Sequence, residues 1–205
     1  MLSTSSTIIQ NIDCACKSGL ALLALFYCDF RDGQKQDRRG LISSILVQLC
    51  AQSESYSNIL SDFYSAHGRG SCRVGDGELE ECLEDMLKLP GQLPIYIIVD
   101  GLDECPKSSG MPSSREKVLT LVEKLVGLAL PNLRLCVTSR PEADIEAALR
   151  PLTPRPISLH EERGQRQDIL NYVTSVVNSD PGMQRWRVGD KVLVIEVLSR
   201  KANGV

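Results

Sequence analysis

"LPIYIIVDGLDEC", residues 93–105, is an apolar run that ends in Asp100, Asp103 and Glu104 and stops at Cys105-Pro106. Pro94 bounds it on one side and Gly101 on the other, leaving Ile95, Tyr96, Ile97, Ile98 and Val99 without a polar interruption. A strand loses its polar alternation when both of its faces are covered, so this stretch reads as a buried parallel strand. Its carboxylates then fall at the C-terminal edge, where open α/β sheets place their ligands.

Working outward, strand and helix patterns alternate along the chain with no internal repeat and no low-complexity linker, which predicts an α/β layer architecture. Upstream, residues 4–17 read as a helix and "LALLALFYCD" (20–29) as a strand, although its Leu and Ala content also permits a helix. After the polar turn "FRDGQKQD", Leu41, Ile45, Leu46 and Leu49 recur at helical spacing. Residues 55–66 and 77–89 read as two further helices around the loop "HGRGSCRVGDG". Downstream, Ser113 or Ser114 is the expected N-cap of a crossover helix whose stripe is Val118, Leu121, Val122, Leu125 and Val126. "LRLCVTSR" (133–140) is the next expected strand, followed from Pro141 by a short helix through Leu149. Four parallel strands are predicted in all, near residues 21–28, 95–100, 133–138 and 155–159, with helices over 165–177 and in "DKVLVIEVLSRKANGV".

Composition narrows the function classes. The 205 residues carry a net charge of −3, with Lys and Arg scattered, so there is no basic stripe with interleaved aromatics and nucleic acid is not an expected partner. The first residues lack the basic and apolar regions of a signal peptide, and the longest apolar run, 20–28, is far shorter than the roughly 20 residues that span a bilayer. A cytoplasmic protein without membrane contact is expected. The eight cysteines contain no C-x-x-C pair and several sit in apolar periodic segments, where a free thiol acts as a small hydrophobe. His67 and His160 have no ligand partner at useful spacing, and Asp13, Asp29 and Asp32 read as turn and strand-end carboxylates.

The order strand, acids, crossover helix, strand ending in "TSR" carries the chemistry. Asp100 at the strand tip is placed to hold Mg²⁺, directly or through water, and Asp103 or Glu104 to orient or deprotonate an attacking water. Arg140 at the end of the neighbouring strand is placed to sense a terminal phosphate, and Thr138 or Ser139 to position a water. The competing reading has the acids capping a turn and Arg140 joining them in a fixed ion pair.

These segments resemble a known family. "IYIIVDGLDEC" resembles the Walker B segment of NACHT domains, which belong to the STAND class of signal-transduction NTPases. "FYCDFRDGQKQ" and "LRLCVTSRPEADI" are similar to the second-strand and sensor segments of the fungal, nephrocystin-type, NLR-like branch, and "ISLHEERGQRQDILNYV" to the entry of its helical lid. The resemblance implies a P-loop NTPase-like three-layer sandwich over residues 1–160 and the beginning of a helical lid over 161–205. It also implies Asp100 as the Mg²⁺-linked acid, Asp103 and Glu104 as hydrolysis-side acids, and Thr138 and Arg140 on the nucleotide side, with Mg²⁺ and ATP or GTP as cofactors. The functional expectation is an NTP-dependent switch in non-self recognition or cell death, with protein partners or self-association through flanking domains.

One family feature is missing from these residues. A phosphate loop needs glycines whose N–H groups wrap the phosphates and a lysine directly after the last of them. None of the 15 glycines here is followed by lysine, and "CACKSG", with Lys17-Ser18, has no glycines ahead of its lysine. The resemblance places the loop just upstream of a segment like "SSTIIQNI", so the sheet is expected to lack the P-loop strand beside the sensor strand, and hydrolysis is not expected. The alternatives are a functional ATP- or GTP-binding switch once an N-terminal P-loop is included, and a nucleotide-independent module that binds proteins or, through Asp100, Asp103 and Glu104, a metal.

Overall fold

In the computed structural model, three parallel strands form one sheet in the order β1-β2-β3: β1 is Leu22–Tyr27, β2 Ile95–Asp100 and β3 Leu133–Val137. The structure describes residues 4–68, 73–107, 110–153 and 163–201. Leu22 stands opposite Ile95 and Tyr27 opposite Asp100, while Ile95 stands opposite Leu133 and Val99 opposite Val137. The fourth expected strand, 155–159, lies outside the described residues.

β2 is the central strand, and its apolar run is explained by cover on both faces. Ile97 and Val99 join the main core, and Ile98, which points the other way, is only 2% exposed. Eight helices are described: α1 (Thr4–Lys17), α2 (Arg38–Cys50), α3 (Glu54–Ala66), α4 (Asp76–Lys88), α5 (Ser114–Gly127), α6 (Ala143–Leu149), α7 (Arg163–Ser179) and α8 (Val188–Lys201). Two of their starts follow side-chain chemistry. Asp37 accepts from the Gly40 N–H to cap α2, and Ser113, with Glu116, forms a reciprocal capping box on α5. Leu41, Ile42, Ile45 and Leu49 of α2, Leu83 and Met86 of α4, and Val118, Leu121 and Leu125 of α5 meet Ile95, Ile97 and Val99 in one core.

The two sides of the sheet differ. Along β1, Gln48 and Gln52 of α2 each present both amide atoms to the strand edge. The Leu25 and Leu23 N–H groups donate to their Oε1 atoms at 2.9 and 3.0 Å, and their Nε2 atoms donate to the Leu25 and Leu23 carbonyls at 2.7 and 2.6 Å. One turn of helix separates the two glutamines, and two strand residues separate their partners, so the rises match closely enough for both to seat. Two side chains therefore take the place of a neighbouring strand. On the outer side of β3 no strand pairs among the described residues.

The chain divides into two compact units, Met1–Thr153 and Pro154–Val205. In the second, α7 packs against α8. Among the described residues no helix is long and apolar enough to cross a membrane.

Candidate functional site

The C-terminal ends of β2 and β3 bring the sequence-predicted residues to one edge. Asp100 is the last residue of β2, and Gly101 turns the chain with φ of 71°, a left-handed conformation that a side chain resists. This places Leu102–Glu104 in a single 3-10 turn, with Leu102 in the core and the two following acids partly buried at its surface. Just past β3, Thr138 holds this turn from the side. Its N–H donates to the Val99 carbonyl at 2.9 Å, and its carbonyl accepts from the Leu102 N–H at 2.9 Å. Its hydroxyl donates to Asp100 Oδ1 at 2.5 Å and accepts from the Gly101 N–H at 3.1 Å.

Asp103 meets Arg140 twice: Oδ1 accepts from the Arg140 backbone N–H at 2.9 Å, and Oδ2 lies 3.6 Å from the guanidinium Nε. The rest of Arg140 projects into solvent, its side chain 79% exposed. Glu104 reaches the loop after β1, accepting from the Phe30 N–H at 3.2 Å. Thus Asp100 and Thr138 form one pair, Asp103 and Arg140 another, and Glu104 a link to the neighbouring loop. An open cavity of about 370 Å³ lies against this turn, lined by Phe30, Asp103, Glu104, Lys107, Arg140 and Glu142 among others. Among the described residues no group of three or more His, Cys, Asp or Glu side chains is arranged to hold a metal ion.

The turn also rests on a residue that the sequence reading passed over. Arg115, in the first turn of α5, is buried, and its guanidinium donates to the carbonyls of Asp103 and Cys105, the latter at 2.9 Å. The same guanidinium pairs with Glu142 at 2.5 Å and Asp144 at 3.3 Å, at the start of α6, and Lys107 reaches both carboxylates, at 2.5 and 3.0 Å. Hydrogen bonds from Lys107 and Arg115 hold the Glu142 carboxyl below its ordinary range. For Asp144 partial burial works the other way, but the same two donors outweigh it and its value is also lowered. In the sequence "SSREKV" nothing distinguishes this arginine from an exposed helix residue, because its acceptors are distant carbonyls and carboxylates.

The residues set aside from the sequence have local partners. Asp13 pairs with Lys17 at 2.5 Å, Asp29 with Arg31 at 3.1 Å, and Asp32 accepts from the Gln34 N–H at 3.1 Å to cap a short turn. His67 contacts the Phe63 carbonyl at 2.8 Å through Nδ1, while His160 lies outside the described residues. The described cysteines are free thiols.

A family model described as nephrocystin 3, N-terminal, matches residues 3–140, a span that contains all three strands and the whole edge described above. Comparison with curated proteins found no match, and neither did comparison with solved structures.

Proposed function

The chain belongs to the nephrocystin 3, N-terminal family, and from that premise we propose that it is part of a NACHT-type STAND switch protein, supplying the acid and sensor side of a nucleotide site. The observation that carries this reading is the meeting of Asp100, Asp103, Glu104, Thr138 and Arg140 at the C-terminal edge of two adjacent parallel strands. Ligands of open α/β sheets bind at such an edge.

The residues fit one half of a Mg²⁺-nucleotide. Mg²⁺ keeps most of its waters and uses one or two carboxylates together with phosphate oxygens, which suits a single strand-end carboxylate held in place by a hydroxyl. Asp100 is that carboxylate, and Thr138 fixes its orientation. When bound, the ion would neutralise charge on the phosphates. Asp103 and Glu104 are the acids placed to orient or accept a proton from water, and Arg140 has an exposed guanidinium free to turn toward an anion without leaving its backbone bond to Asp103. The other half, a glycine-rich cradle with its lysine, is not among these 205 residues. A strand carrying it has a place to pair along the outer side of β3, whereas Gln48 and Gln52 close the side of β1.

The test has two arms. By calorimetry, residues 1–205 alone should bind ATP or GTP more weakly than about millimolar and hydrolyse neither, because polyphosphate meets acids without donors to offset them. A protein extended ahead of residue 3 by a strand and a glycine-rich loop ending in Gly-Lys-Ser should bind nucleotide and gain thermal stability. In it, Asp100→Ala should weaken Mg²⁺-dependent binding, and Glu104→Gln should spare binding and slow turnover. Equal binding by the Asp100→Ala protein with and without Mg²⁺ overturns the assignment.

A further inference from the structure

Cys28 and Cys105 stand 77 positions apart in the chain, yet their Sγ atoms are 3.5 Å from each other and share a hydrogen bond. Each belongs to a segment of the candidate site. Cys28 directly follows β1, and its N–H donates to the Asp100 carbonyl at 2.9 Å. Cys105 ends the turn that carries Asp103 and Glu104, and its carbonyl is held by Arg115. The two segments are already joined by the bond from Phe30 to Glu104. Both side chains are covered, at 6% and 0% exposure, so each has the other as its immediate thiol neighbour and bulky reagents are kept out.

We propose that Cys28 and Cys105 are a redox-active pair that closes to a disulfide on exposure to hydrogen peroxide and so clamps the acid turn to the end of β1. This assignment goes beyond the nucleotide reading and does not depend on it. The sulfurs must approach from 3.5 Å to roughly 2.05 Å, a shift that side-chain rotation and a small loop adjustment supply. The hydrogen bond shared with Cys28 and the nearby Arg115 charge lower the Cys105 thiol against the opposing effect of its burial, while the same bond and burial raise Cys28, so Cys105 is taken as the first nucleophile. Its thiolate attacks one oxygen of the peroxide, the O–O bond breaks, and the departing oxygen leaves as water after taking a proton. The Cys105 sulfenic acid is then attacked by the Cys28 sulfur, the S–O bond breaks, and the Cys28 proton leaves with that oxygen as a second water. Two thiols are oxidised by two electrons, and the peroxide is reduced to two waters. Dithiothreitol reverses the bond.

The native 205-residue protein is treated with hydrogen peroxide, unfolded in N-ethylmaleimide to trap remaining thiols, and mapped by mass spectrometry without reduction. The exposed Cys14 and half-exposed Cys16 report on general oxidation. The expected result is a Cys28–Cys105 crosslinked peptide as the main product, removed by dithiothreitol and absent after unfolding before oxidation at the same dose. In Cys28→Ser the crosslink disappears, and Cys105 is found as a sulfenic acid adduct once the oxidised protein is unfolded in the presence of dimedone. Should that variant not fold, the wild-type map decides alone. Recovery of Cys28 and Cys105 as maleimide adducts after Cys14 and Cys16 are oxidised, or crosslinks dominated by other pairs, overturns the proposal.

Discussion

Arg115 and Arg140 both touch Asp103, one from beneath through its carbonyl and one from outside through its carboxylate. Their side-chain exposures are 5% and 79%, which predicts opposite sensitivities to substitution. Arg115→Met leaves two carbonyls and two carboxylates without a shared donor and should destabilise by about 2–4 kcal/mol. Arg140→Ala loses only an exposed pair whose backbone bond survives, and should change stability by less than about 0.5 kcal/mol. Urea midpoints of the two variants check this. Thr138→Val is expected between them, at about 1–2 kcal/mol, because the Gly101 N–H and Asp100 lose a hydroxyl that serves both. A Thr138→Ser protein, which keeps the hydroxyl, should recover most of that loss.

At the scale of elements, α2 does two jobs with one sequence. Leu41, Ile45 and Leu49 enter the core, and Gln48 and Gln52 finish the sheet edge. Their spacing is ordinary for a helix surface, and only the docking of α2 along β1 turns it into a substitute strand. Replacing both glutamines by leucine should leave the helix intact and expose the Leu23 and Leu25 amides. Their hydrogen exchange should quicken by about tenfold or more, each lost bond being worth roughly 1 kcal/mol or above, while exchange at Ile97 and Val99 of β2 stays slow. Unchanged protection at Leu23 and Leu25 would show that the glutamines do not guard the edge. The turn after β2 has its own requirement. Gly101→Ala meets no close neighbour, since the added carbon would lie 3.7 Å from the Cys28 carbonyl oxygen, so its cost is the left-handed backbone itself, about 1–2 kcal/mol.

Across the whole of the first unit, carboxylates bridge helices that are distant in sequence. Glu142 and Asp144 tie α6 to Arg115 of α5, and Glu84 of α4 pairs with Lys124 of α5 at 2.5 Å and with Lys88 at 2.6 Å. Hydrogen bonds from Lys124 and then Lys88 lower the Glu84 carboxyl, as Lys107 and Arg115 lower Glu142 and Asp144. Groups depressed in the folded state lend stability that is fully present above their unfolded values, 4.5 for Glu and 3.8 for Asp, and is lost as pH falls through the lowered folded values. The urea midpoint should therefore hold steady from neutral pH to about pH 5 and fall progressively below that. In Arg115→Met the fall should be shallower, because two of those carboxylates lose a donor that depresses them. An equal slope in the two proteins would show that Arg115 does not set the acid response.

The amino-acid sequence alone determined whatever depends on neighbours along the chain. The strand 95–100 announced itself because cover on both faces demands an unbroken apolar run, and the helices carrying Leu41–Leu49 and Val118–Val126 because their apolar positions recur at a turn's spacing; the helices read at 55–66 and 77–89 are observed at Glu54–Ala66 and Asp76–Lys88. The acids of "DGLDEC" and the arginine of "TSR" were legible for the same reason: strand ends are local features, and a parallel register brings two of them to one edge. "LALLALFYCD" permitted helix or strand, and its pairing with β2 settled on strand. Tertiary structure alone decided that Thr138 seats Asp100, that Asp103 is shared by two arginines, that Arg115 lies buried beneath the acid turn, and that Cys28 meets Cys105. Each of these joins residues far apart in sequence through polar atoms, and an arginine, a glutamine or a cysteine has the same letter whether it faces water or a buried carbonyl. Hydrophobic periodicity reports which way a side chain faces, whereas the partner it finds there depends on how the elements close on one another.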